Sequence, residues 1–361
     1  MGALKQFTRK KNAFFRSIKF ALINRRYRHK AARAPFNPHS VKHLLLLRLD
    51  DKIGDMVVTT GCARALAEKG YRVSVLTGPM CQQLLAGADY LENVHLYKPR
   101  MSLAALQAER FDAVIDFDDV NTYERFKLLS ELNIGCVIGY NKEQYKLFDH
   151  TIPFFDATKH ISARYQQVLN LFGIAADHYT YHVAGDAHER EKVAQLLATE
   201  APQTCFVAIN PFTGSEDKDF SREQVVSIVE HLNALPYPTR AVIIGQSAKV
   251  SQLNIDNALF LKDSTINTAV EIVRRVDLVI TPDTSIVHIA RALDKPLIAV
   301  YNQRKLKDTG LPGYKIWAPH YEKATQLICS TDDISAMPMV ELLRTIDIRL
   351  DEIYHPVAKA M

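Results

Sequence analysis

Short apolar runs alternate with stretches of helical periodicity along most of this chain. The runs predict strands at 44–49, 71–77, 94–97, 111–117 and 134–139 in the first half, and at 204–210, 239–244, 258–261, 277–281 and 296–301 in the second. The periodic stretches predict helices, the clearest at 56–69, 121–132, 221–234, 247–255, 266–275, 284–293 and 337–354. Strands that are apolar throughout and separated by helices are typical of parallel sheets that are buried on both faces.

The alternation is interrupted around residues 150–186, a stretch that contains Pro153, Gly173 and Gly185. We therefore predict an α/β protein whose body divides into residues 41–185 and 186–361. Two successive open parallel sheets indicate two Rossmann-like domains, each with its ligand site at the carboxyl ends of its strands. The domains are expected to face each other across a cleft. We also consider that the last helix packs back on the first domain.

The bulk composition limits the class of protein. With 361 residues, 47% of them hydrophobic, the chain is long enough for two ordinary cores. The sequence shows no apolar run as long as a transmembrane helix and no secretory signal pattern. Its five cysteines are scattered and lack metal-ligand spacing, so we predict buried free thiols in a reducing compartment, the cytoplasm.

Residues 1–40 form a strongly basic arm. They contain eleven Lys and Arg and no acidic residue, whereas residues 41–361 hold 34 Lys and Arg against 40 Asp and Glu. Apolar residues recur in the arm at helical spacing: Phe14, Phe15, Ile18, Ala21 and Leu22. This pattern favours a helix that lies in an anionic membrane interface through residues 1–35. A helix packed on the body is the alternative, and nucleic acid is disfavoured because the aromatic residues gather on one face.

Three strand-to-helix loops carry candidate chemistry, and the first follows the strand at 44–49. Gly54 permits a tight turn, and Asp55 stands at the start of the next helix. Its carboxylate is suited either to cap the helix or to act as a general base in a cleft. Asp50 and Asp51 have no His or further carboxylate at a spacing that suits a metal, so we assign them to the loop or to contacts with an acceptor.

The second loop follows the strand at 204–210 and contains small and polar residues: Thr213, Gly214, Ser215 and Lys218. Exposed backbone N–H groups beside a lysine suit a phosphate or pyrophosphate, although the order of residues is not that of a Walker loop. A polar turn before a helix that Ser221 caps is an equally good interpretation.

The third loop, after the strand at 277–281, contains Asp283, Thr284 and Ser285. A helix that begins here would direct its N-terminal amides at the cleft. His288 follows in the helix among apolar neighbours, where a hydrogen-bonded structural histidine is at least as good an interpretation as a catalytic one. It lies too deep in the helix to reach a reacting atom directly.

Together the three loops resemble those of the heptosyltransferase family, which transfers heptose from ADP-heptose to the inner core of lipopolysaccharide. The segments that carry the resemblance are RLDDKIGDMVVTTGCARALAEKG, NPFTGSEDKDFSREQ and TPDTSIVHIARALDKPLIAVY. The last is the most specific, and the whole resemblance spans about residues 41–345. It implies the GT-B architecture and an inverting glycosyltransferase that needs no metal or other cofactor.

The resemblance also implies roles for individual residues. Asp55 would be the general base, with acceptor contacts nearby at Asp51, Lys52 and Gly54. Donor binding would involve Thr213, Gly214, Ser215, Lys218, Gln246, Asp283, Thr284 and Ser285, with His288 as a support for its loop. The implied partners are a nucleotide-sugar donor and an anionic glycolipid acceptor, without nucleic acid. The implied location is peripheral, on the cytoplasmic face of the bacterial inner membrane.

Several positions depart from the family pattern and indicate a divergent member. Gly61 stands where the family usually has Pro, and Gln246 stands where an acidic residue usually holds the ribose. Two alternatives therefore stay open. One is a hexosyltransferase of the same fold that uses a UDP- or GDP-sugar, and the other is a non-catalytic relative that binds glycans or nucleotides.

Overall fold

The computed structural model describes residues 11, 14–15, 17–22, 24–25, 36–119, 121–154, 156–175, 178–306 and 310–354. They form two six-stranded parallel sheets, which confirms the predicted α/β class. The first sheet contains β1 (His43–Arg48), β2 (Arg72–Thr77), β3 (Asn93–Leu96), β4 (Ala113–Asp116), β5 (Cys136–Tyr140) and β6 (His150–Ile152). The second contains β7 (Cys205–Ile209), β8 (Thr239–Ile243), β9 (Ala258–Leu259), β10 (Leu278–Pro282), β11 (Leu297–Tyr301) and β12 (Ala324–Ile328).

The helices of the first half are α1 (Ile53–Glu68), α2 (Pro79–Leu85), α3 (Ala104–Ala108), α4 (Tyr123–Leu132) and α5 (Ser162–Leu171). Those of the second half are α6 (Ala187–Leu197), α7 (Arg222–Asn233), α8 (Ser247–Leu253), α9 (Ile266–Arg275), α10 (Ser285–Ala292), α11 (Gly313–Ile316) and α12 (Met339–Tyr354). Sequence patterns missed β6 and β12. Three residues are too few for a clear apolar run, and β12 is only partly buried.

The leucine run of β1 shows why the sequences of these strands are apolar at successive positions. Leu44 and Leu46 belong to one hydrophobic cluster, whereas Leu45 and Leu47 belong to another. Successive side chains of a strand point to opposite faces, so both faces of β1 are covered. The strand is accordingly central to its sheet and lies between β2 and β4.

Both sheets have the same topology. The strand order is β3-β2-β1-β4-β5-β6 in the first and β12-β11-β10-β7-β8-β9 in the second. In each sheet the order reverses between two neighbouring central strands, β1 and β4 in one and β7 and β10 in the other. Open α/β sheets bind ligands outside the carboxyl ends of such a pair. The fold therefore specifies four loops at which a site should be sought.

The segment between the domains lies across α1. The hydroxyl group of Tyr179 donates to the carbonyl oxygen of Val58 at 2.7 Å, and the backbone N–H of His182 donates to the hydroxyl oxygen of Thr60 at 2.9 Å. From the second domain, the Arg291 guanidinium donates to the carbonyl oxygen of Tyr179 at 3.1 Å. These bonds join α1, the linking segment and α10 in one interface.

We expect Gly61→Ala to lower the free energy of unfolding by about 1–3 kcal/mol, the usual cost of overpacking a filled core. A Cβ atom at Gly61 would lie 2.1 Å from the carbonyl oxygen of Thr180 and 2.9 Å from the ring of Tyr179. Because the first contact is with backbone, the linking segment would have to move away from α1. The shift in the urea midpoint measures this effect.

Gly135→Ala is the matched control for that measurement. A Cβ atom there would meet the carbonyl oxygen of Asp112 at 3.5 Å, an ordinary van der Waals distance. We expect a change within about 0.5 kcal/mol, as for most surface substitutions. Equal midpoint shifts for the two variants would contradict the close packing of the linking segment on α1.

The last helix, α12, packs on the second domain. Its buried residues Leu342, Ile346 and Leu350 join the hydrophobic cluster that also holds residues of α7. The Nε2 atom of His231 on α7 lies 2.6 Å from a carboxylate oxygen of Asp347. The alternative in which this helix returns to the first domain is therefore wrong, because its apolar stripe is already covered within its own domain.

The described part of the arm is helical at residues 14–15, 17–22 and 24–25, as the spacing predicts. Eight of the arm's eleven bases lie outside the described residues, and Lys11, Lys19 and Arg25 lie inside. Within the described ranges no helix is both long and apolar enough to cross a membrane. None of the five cysteines forms a disulfide bond in the described structure, and four of them are buried.

Candidate active site

The loops after β1, β4, β7 and β10 converge on two adjoining cavities in the cleft. One, of about 740 Å³, lies beside the carboxyl ends of β7 and β8, and we call it the β8 cavity. The other, of about 760 Å³, lies beside β1 and β4, and we call it the β4 cavity. The residues that line both are Lys52, Gly54, Asp283, Thr284 and Ser285. The two cavities therefore adjoin along these five residues.

Asp55 lies in the first turn of α1 and lines the β4 cavity. The helix begins at Ile53, so Lys52 occupies the N-cap position, and it makes no side-chain capping bond. The Asp55 carboxylate is instead ion-paired with the guanidinium of Arg48. The interpretation of Asp55 as an N-cap is thus wrong, because the helix starts earlier than its apolar periodicity suggests.

Arg48 is the last residue of β1 and is buried beneath the β4 cavity. Its Nε atom lies 3.9 Å from a carboxylate oxygen of Asp50, so one guanidinium serves both Asp50 and Asp55. Burial opposes its charge, but Tyr165 and these two carboxylates outweigh that effect and raise the pKa of Arg48. For Asp50, burial dominates and raises the pKa.

Sequence reasoning missed Arg48, although a signal was present. A charged residue near the carboxyl end of an otherwise apolar strand needs a partner once it is buried. The acidic loop that begins at Asp50 supplies that partner.

Asp51 has a structural position and does not line either cavity. Its carboxylate accepts hydrogen bonds from the backbone N–H groups of Met80 at 3.2 Å and Cys81 at 2.9 Å, at the start of α2. Its backbone is left-handed, with φ of 51°. The expected contact between Asp51 and an acceptor therefore finds no support in this geometry.

Lys52 and Gly54 do lie where the expected contacts require. The exposed Lys52 ammonium lies 3.7 Å from a carboxylate oxygen of Asp50, at the boundary of the two cavities. Gly54 lets α1 approach α10, since a Cβ atom there would lie 3.3 Å from the ring of His288 and 3.7 Å from the Cα atom of Ser285. The N-termini of α1 and α10 consequently meet at the cleft.

The loop after β7 is divided between the two cavities. Thr213 and Gly214 line the β8 cavity, and Lys218 lines the β4 cavity. The Lys218 ammonium donates to a carboxylate oxygen of Asp283 at 2.6 Å, which links this loop to the one after β10. Ser215 lines neither cavity, and its hydroxyl group donates to the Asp217 carboxylate. The donor contact expected of Ser215 is thus not in place.

The loop after β10 leads into α10, and Thr284 is its N-cap. The Thr284 hydroxyl oxygen accepts from the backbone N–H of Ile286 at 3.1 Å, and Ser285 and Ile286 of the first turn line the β8 cavity. Asp283, Thr284 and Ser285 all lie at the boundary between the cavities. The structure thus brings these three predicted site residues together, and their role at a diphosphate stays a prediction.

His288 is buried behind this loop and touches the β4 cavity. Its ring lies between those of Tyr181 and Trp317, at centroid distances of 5.8 and 5.6 Å. Burial, followed by the charge of Arg291, lowers the pKa of His288 to about 3, so the imidazole is neutral at neutral pH. Within the described structure its Nδ1 atom has no hydrogen-bond partner, so it is not a hydrogen-bonded core histidine.

The β8 cavity has a mixed lining. Its apolar wall includes Ile244, Ile266 and Ile272. Gln246 and Lys249 stand at the carboxyl end of β8, and the Lys249 ammonium lies 5.3 Å from the centre of the Phe212 ring. Most small-molecule sites combine an apolar wall with a few polar groups in this way.

The β4 cavity is strongly charged, through residues that sequence reasoning missed. Asp118 and Asp119 follow β4, where Arg125 lies 2.5 Å from Asp118 and Arg164 donates to Asp119 at 2.9 Å. The strand order places these residues opposite the loop after β1, since β1 and β4 are neighbours. Across the described ranges no group of three or more His, Cys, Asp or Glu is arranged to hold a metal ion.

Comparison with known proteins follows this geometry. A family model described as glycosyltransferase family 9 (heptosyltransferase) matches residues 100–338, more than half of the chain. The chain belongs to this family of glycosyltransferases. The match includes the loops after β4, β7 and β10, whereas the loop that carries Asp55 precedes it.

Relatives extend the similarity over both domains. "Putative lipopolysaccharide heptosyltransferase 4" of Escherichia coli K12 is 24% identical over 342 residues, which is 90% of this chain and 92% of that protein. The solved family 9 glycosyltransferase of Veillonella parvula has a TM-score of 0.73 at 14% identity, covering 86% of this chain and 98% of its own. E. coli ADP-heptose lipopolysaccharide heptosyltransferase II has a TM-score of 0.68 at 14% identity with the same coverage. The predicted GT-B architecture is confirmed.

Proposed function

We propose that this chain transfers heptose from ADP-heptose to the inner core of lipopolysaccharide or lipooligosaccharide, with inversion and without a metal ion. The observation that carries the proposal is that the two cavities adjoin and that Lys218 and Asp283 line the same cavity as Asp55. A nucleotide-sugar in the β8 cavity would present its anomeric carbon at this boundary. An acceptor hydroxyl in the β4 cavity could then attack from the opposite side.

The donor assignment is supported by the lining of the β8 cavity. The apolar wall suits a nucleobase, and the N-terminus of α10 suits the diphosphate. Lys218 lines the neighbouring β4 cavity and reaches the boundary through its ion pair with Asp283. The names of the relatives refer to heptosyltransferases, and one of them to ADP-heptose. The volume of about 740 Å³ lies within the range of roughly 300–1,000 Å³ usual for ligand sites.

The proposed mechanism is a single in-line displacement at the anomeric carbon. Asp55 accepts the proton of the acceptor hydroxyl as its oxygen forms the new glycosidic bond. The bond to the diphosphate breaks at the same time, and the charge on the leaving group is stabilised by Lys218 and the amides at the start of α10. The cleft holds donor and acceptor together and excludes water, which would otherwise hydrolyse the donor.

Arg48 acts through Asp55 in this scheme. Its guanidinium pairs with the carboxylate from below and so fixes the side chain that faces the cavity. Asp50 shares the same guanidinium and completes a buried cluster at the end of β1.

A UDP- or GDP-hexose is the second candidate donor. Gln246 and Lys249 line the β8 cavity at the position where the family usually places an acidic residue for the ribose. A neutral amide beside an ammonium offers the nucleotide a different set of hydrogen bonds, so another base or sugar is chemically reasonable here.

A thermal-shift panel with ADP-heptose, ADP, UDP, GDP and NAD, in metal-free buffer, tests the donor. We expect ADP and ADP-heptose to stabilise the protein selectively, because a ligand that binds only the folded state at a hundredfold excess over its Kd contributes about 2.7 kcal/mol. Selective stabilisation by UDP or GDP would replace heptose by a hexose as the donor sugar. Stabilisation by none of them would argue for a non-catalytic relative.

The proposed acceptor is an anionic glycolipid, and the proposed location is the cytoplasmic face of the inner membrane. The β4 cavity contains the cationic groups Lys52, Lys159 and Arg164, each paired with an aspartate of the same lining, and anionic groups of a sugar acceptor would take over these pairings.

A further inference from the structure

The arm helix is docked on the first domain through one face. The Phe20 ring packs edge-on against the ring of Phe126 at a centroid distance of 5.2 Å and lies 6.3 Å from that of Tyr145. The Lys19 ammonium lies 5.1 Å from the centre of the Tyr123 ring. These contacts place the helix on the first turn of α4 and on the turn that follows β5.

The face away from these contacts is apolar and exposed. Phe14 is 64% exposed, Phe15 51%, Ile18 40% and Leu22 62%. They are four of the eight large apolar side chains that are exposed in the described structure. At 3.6 residues per turn, Phe20 lies about 160° around the helix from the middle of this stripe. Docking on the body therefore leaves the apolar face without a partner in the described structure.

Basic residues surround the exposed stripe. Lys11 precedes it and Arg25 follows it on the same side of the helix, and both are exposed. The arm contains eleven Lys and Arg and no Asp or Glu, in contrast to the acidic remainder of the chain. An acidic protein surface would attract the basic side chains but would not bury four exposed apolar side chains. An anionic bilayer attracts the basic side chains and also buries the apolar ones.

We propose that the docked arm helix inserts the face formed by Phe14, Phe15, Ile18 and Leu22 into an anionic membrane surface. Basic side chains at its two ends bind the lipid headgroups, and Phe20 transmits this attachment to the first domain. In this proposal the arm is both a membrane helix and a docked helix. One face binds the membrane, and the opposite face packs on the first domain.

The docking site also sets the orientation of the cleft. The first turn of α4 follows Asp118 and Asp119, which line the β4 cavity. The turn after β5 begins with Asn141, which also lines that cavity. A membrane bound to the arm therefore lies beside the entrance for the acceptor. This last step rests on the proposed function, since it matters only for an acceptor that is anchored in the membrane.

Vesicle co-sedimentation of the full chain tests the proposal. The protein is mixed with vesicles of phosphatidylglycerol and phosphatidylethanolamine or with vesicles of phosphatidylcholine. We expect binding to the anionic vesicles, and at least tenfold weaker binding by the triple variant Phe14→Ser/Ile18→Ser/Leu22→Ser. Tenfold corresponds to about 1.4 kcal/mol.

The double variant Val340→Ser/Ile348→Ser is the matched control, because both residues are exposed apolar side chains on α12 in the other domain. It should bind vesicles like the unchanged protein. Equal binding by the triple variant and the unchanged protein would overturn the proposal, as would equal binding to both kinds of vesicle. Dissociation of a dimer by the triple variant, with no effect on vesicle binding, would assign the face to a second copy.

Vesicle binding needs neither donor nor turnover, so its failure is distinct from failure of the proposed function. The Asp55→Asn protein should bind vesicles normally, since Asp55 lies inside the cleft.

Discussion

Asp55→Asn is expected to lower turnover by about 10²–10⁴-fold while binding of ADP stays unchanged. The Asp55 side chain lines the β4 cavity, whereas the nucleotide is assigned to the β8 cavity. An amide of the same shape keeps the packing around Arg48 but cannot accept a proton from the acceptor hydroxyl. Initial rates of ADP release, together with the midpoint shift caused by ADP, measure the two effects separately.

Glu68→Gln provides the matched control, because it removes a carboxylate from the other end of the same helix. Glu68 is exposed and pairs with Arg64 one turn away at 2.8 Å, far from the cleft. Its variant should retain the turnover of the unchanged chain. An Asp55→Asn protein with normal turnover would remove Asp55 from the mechanism and direct attention to Asp50, which shares its guanidinium.

Lys218→Gln is expected to lower kcat by about 10²–10³-fold, the usual effect of removing one group that stabilises transition-state charge. The ammonium lies 2.6 Å from a carboxylate oxygen of Asp283. A diphosphate that enters the cleft would share this cation with Asp283. Without it, the developing charge of the leaving group would face the Asp283 carboxylate directly. Steady-state kinetics with varied donor separates kcat from KM.

Lys323→Gln is the control for charge removal in the same domain. Lys323 also pairs with an aspartate, Asp294, at 2.5 Å, but on the exposed surface. Its loss should leave both kinetic parameters unchanged. If Lys218→Gln raised KM and left kcat intact, Lys218 would bind the donor equally in the ground state and the transition state.

Much of the fold is predictable from the chain itself. The leucines of β1 and the apolar runs of β7 and β10 are buried on both faces, so their sequences carry the signal of a central parallel strand. The same local rules fail at β6 and at β12, where few side chains are fully buried. Burial is only part of the reason, because β3 and β9 lack a fully buried residue and are nevertheless predicted at 94–97 and 258–261.

The candidate site is predictable in position and only partly in detail. Small residues and charges after strands mark the loops of Asp55, Lys218 and Asp283, and the structure brings all three to one cleft. The directions in which the side chains of these loops point are not predictable from the sequence. Asp51 and Ser215 belong to the same loops, yet each is used to hold local backbone or a neighbouring side chain.

The sequence by itself determined the two α/β domains, the loops that carry the chemistry and the amphipathic character of the arm. These follow from patterns within a few residues, because periodicity and turn chemistry are local properties. Only the tertiary structure decided that Arg48 serves both Asp50 and Asp55, that α12 stays on its own domain and that Phe20 docks the arm beside the cleft. The packing of α12 and the docking of Phe20 depend on contacts between residues that are far apart along the chain. The pairing of Arg48 depends on the shape of the turn after β1. Such contacts are set by the way whole helices and strands pack together.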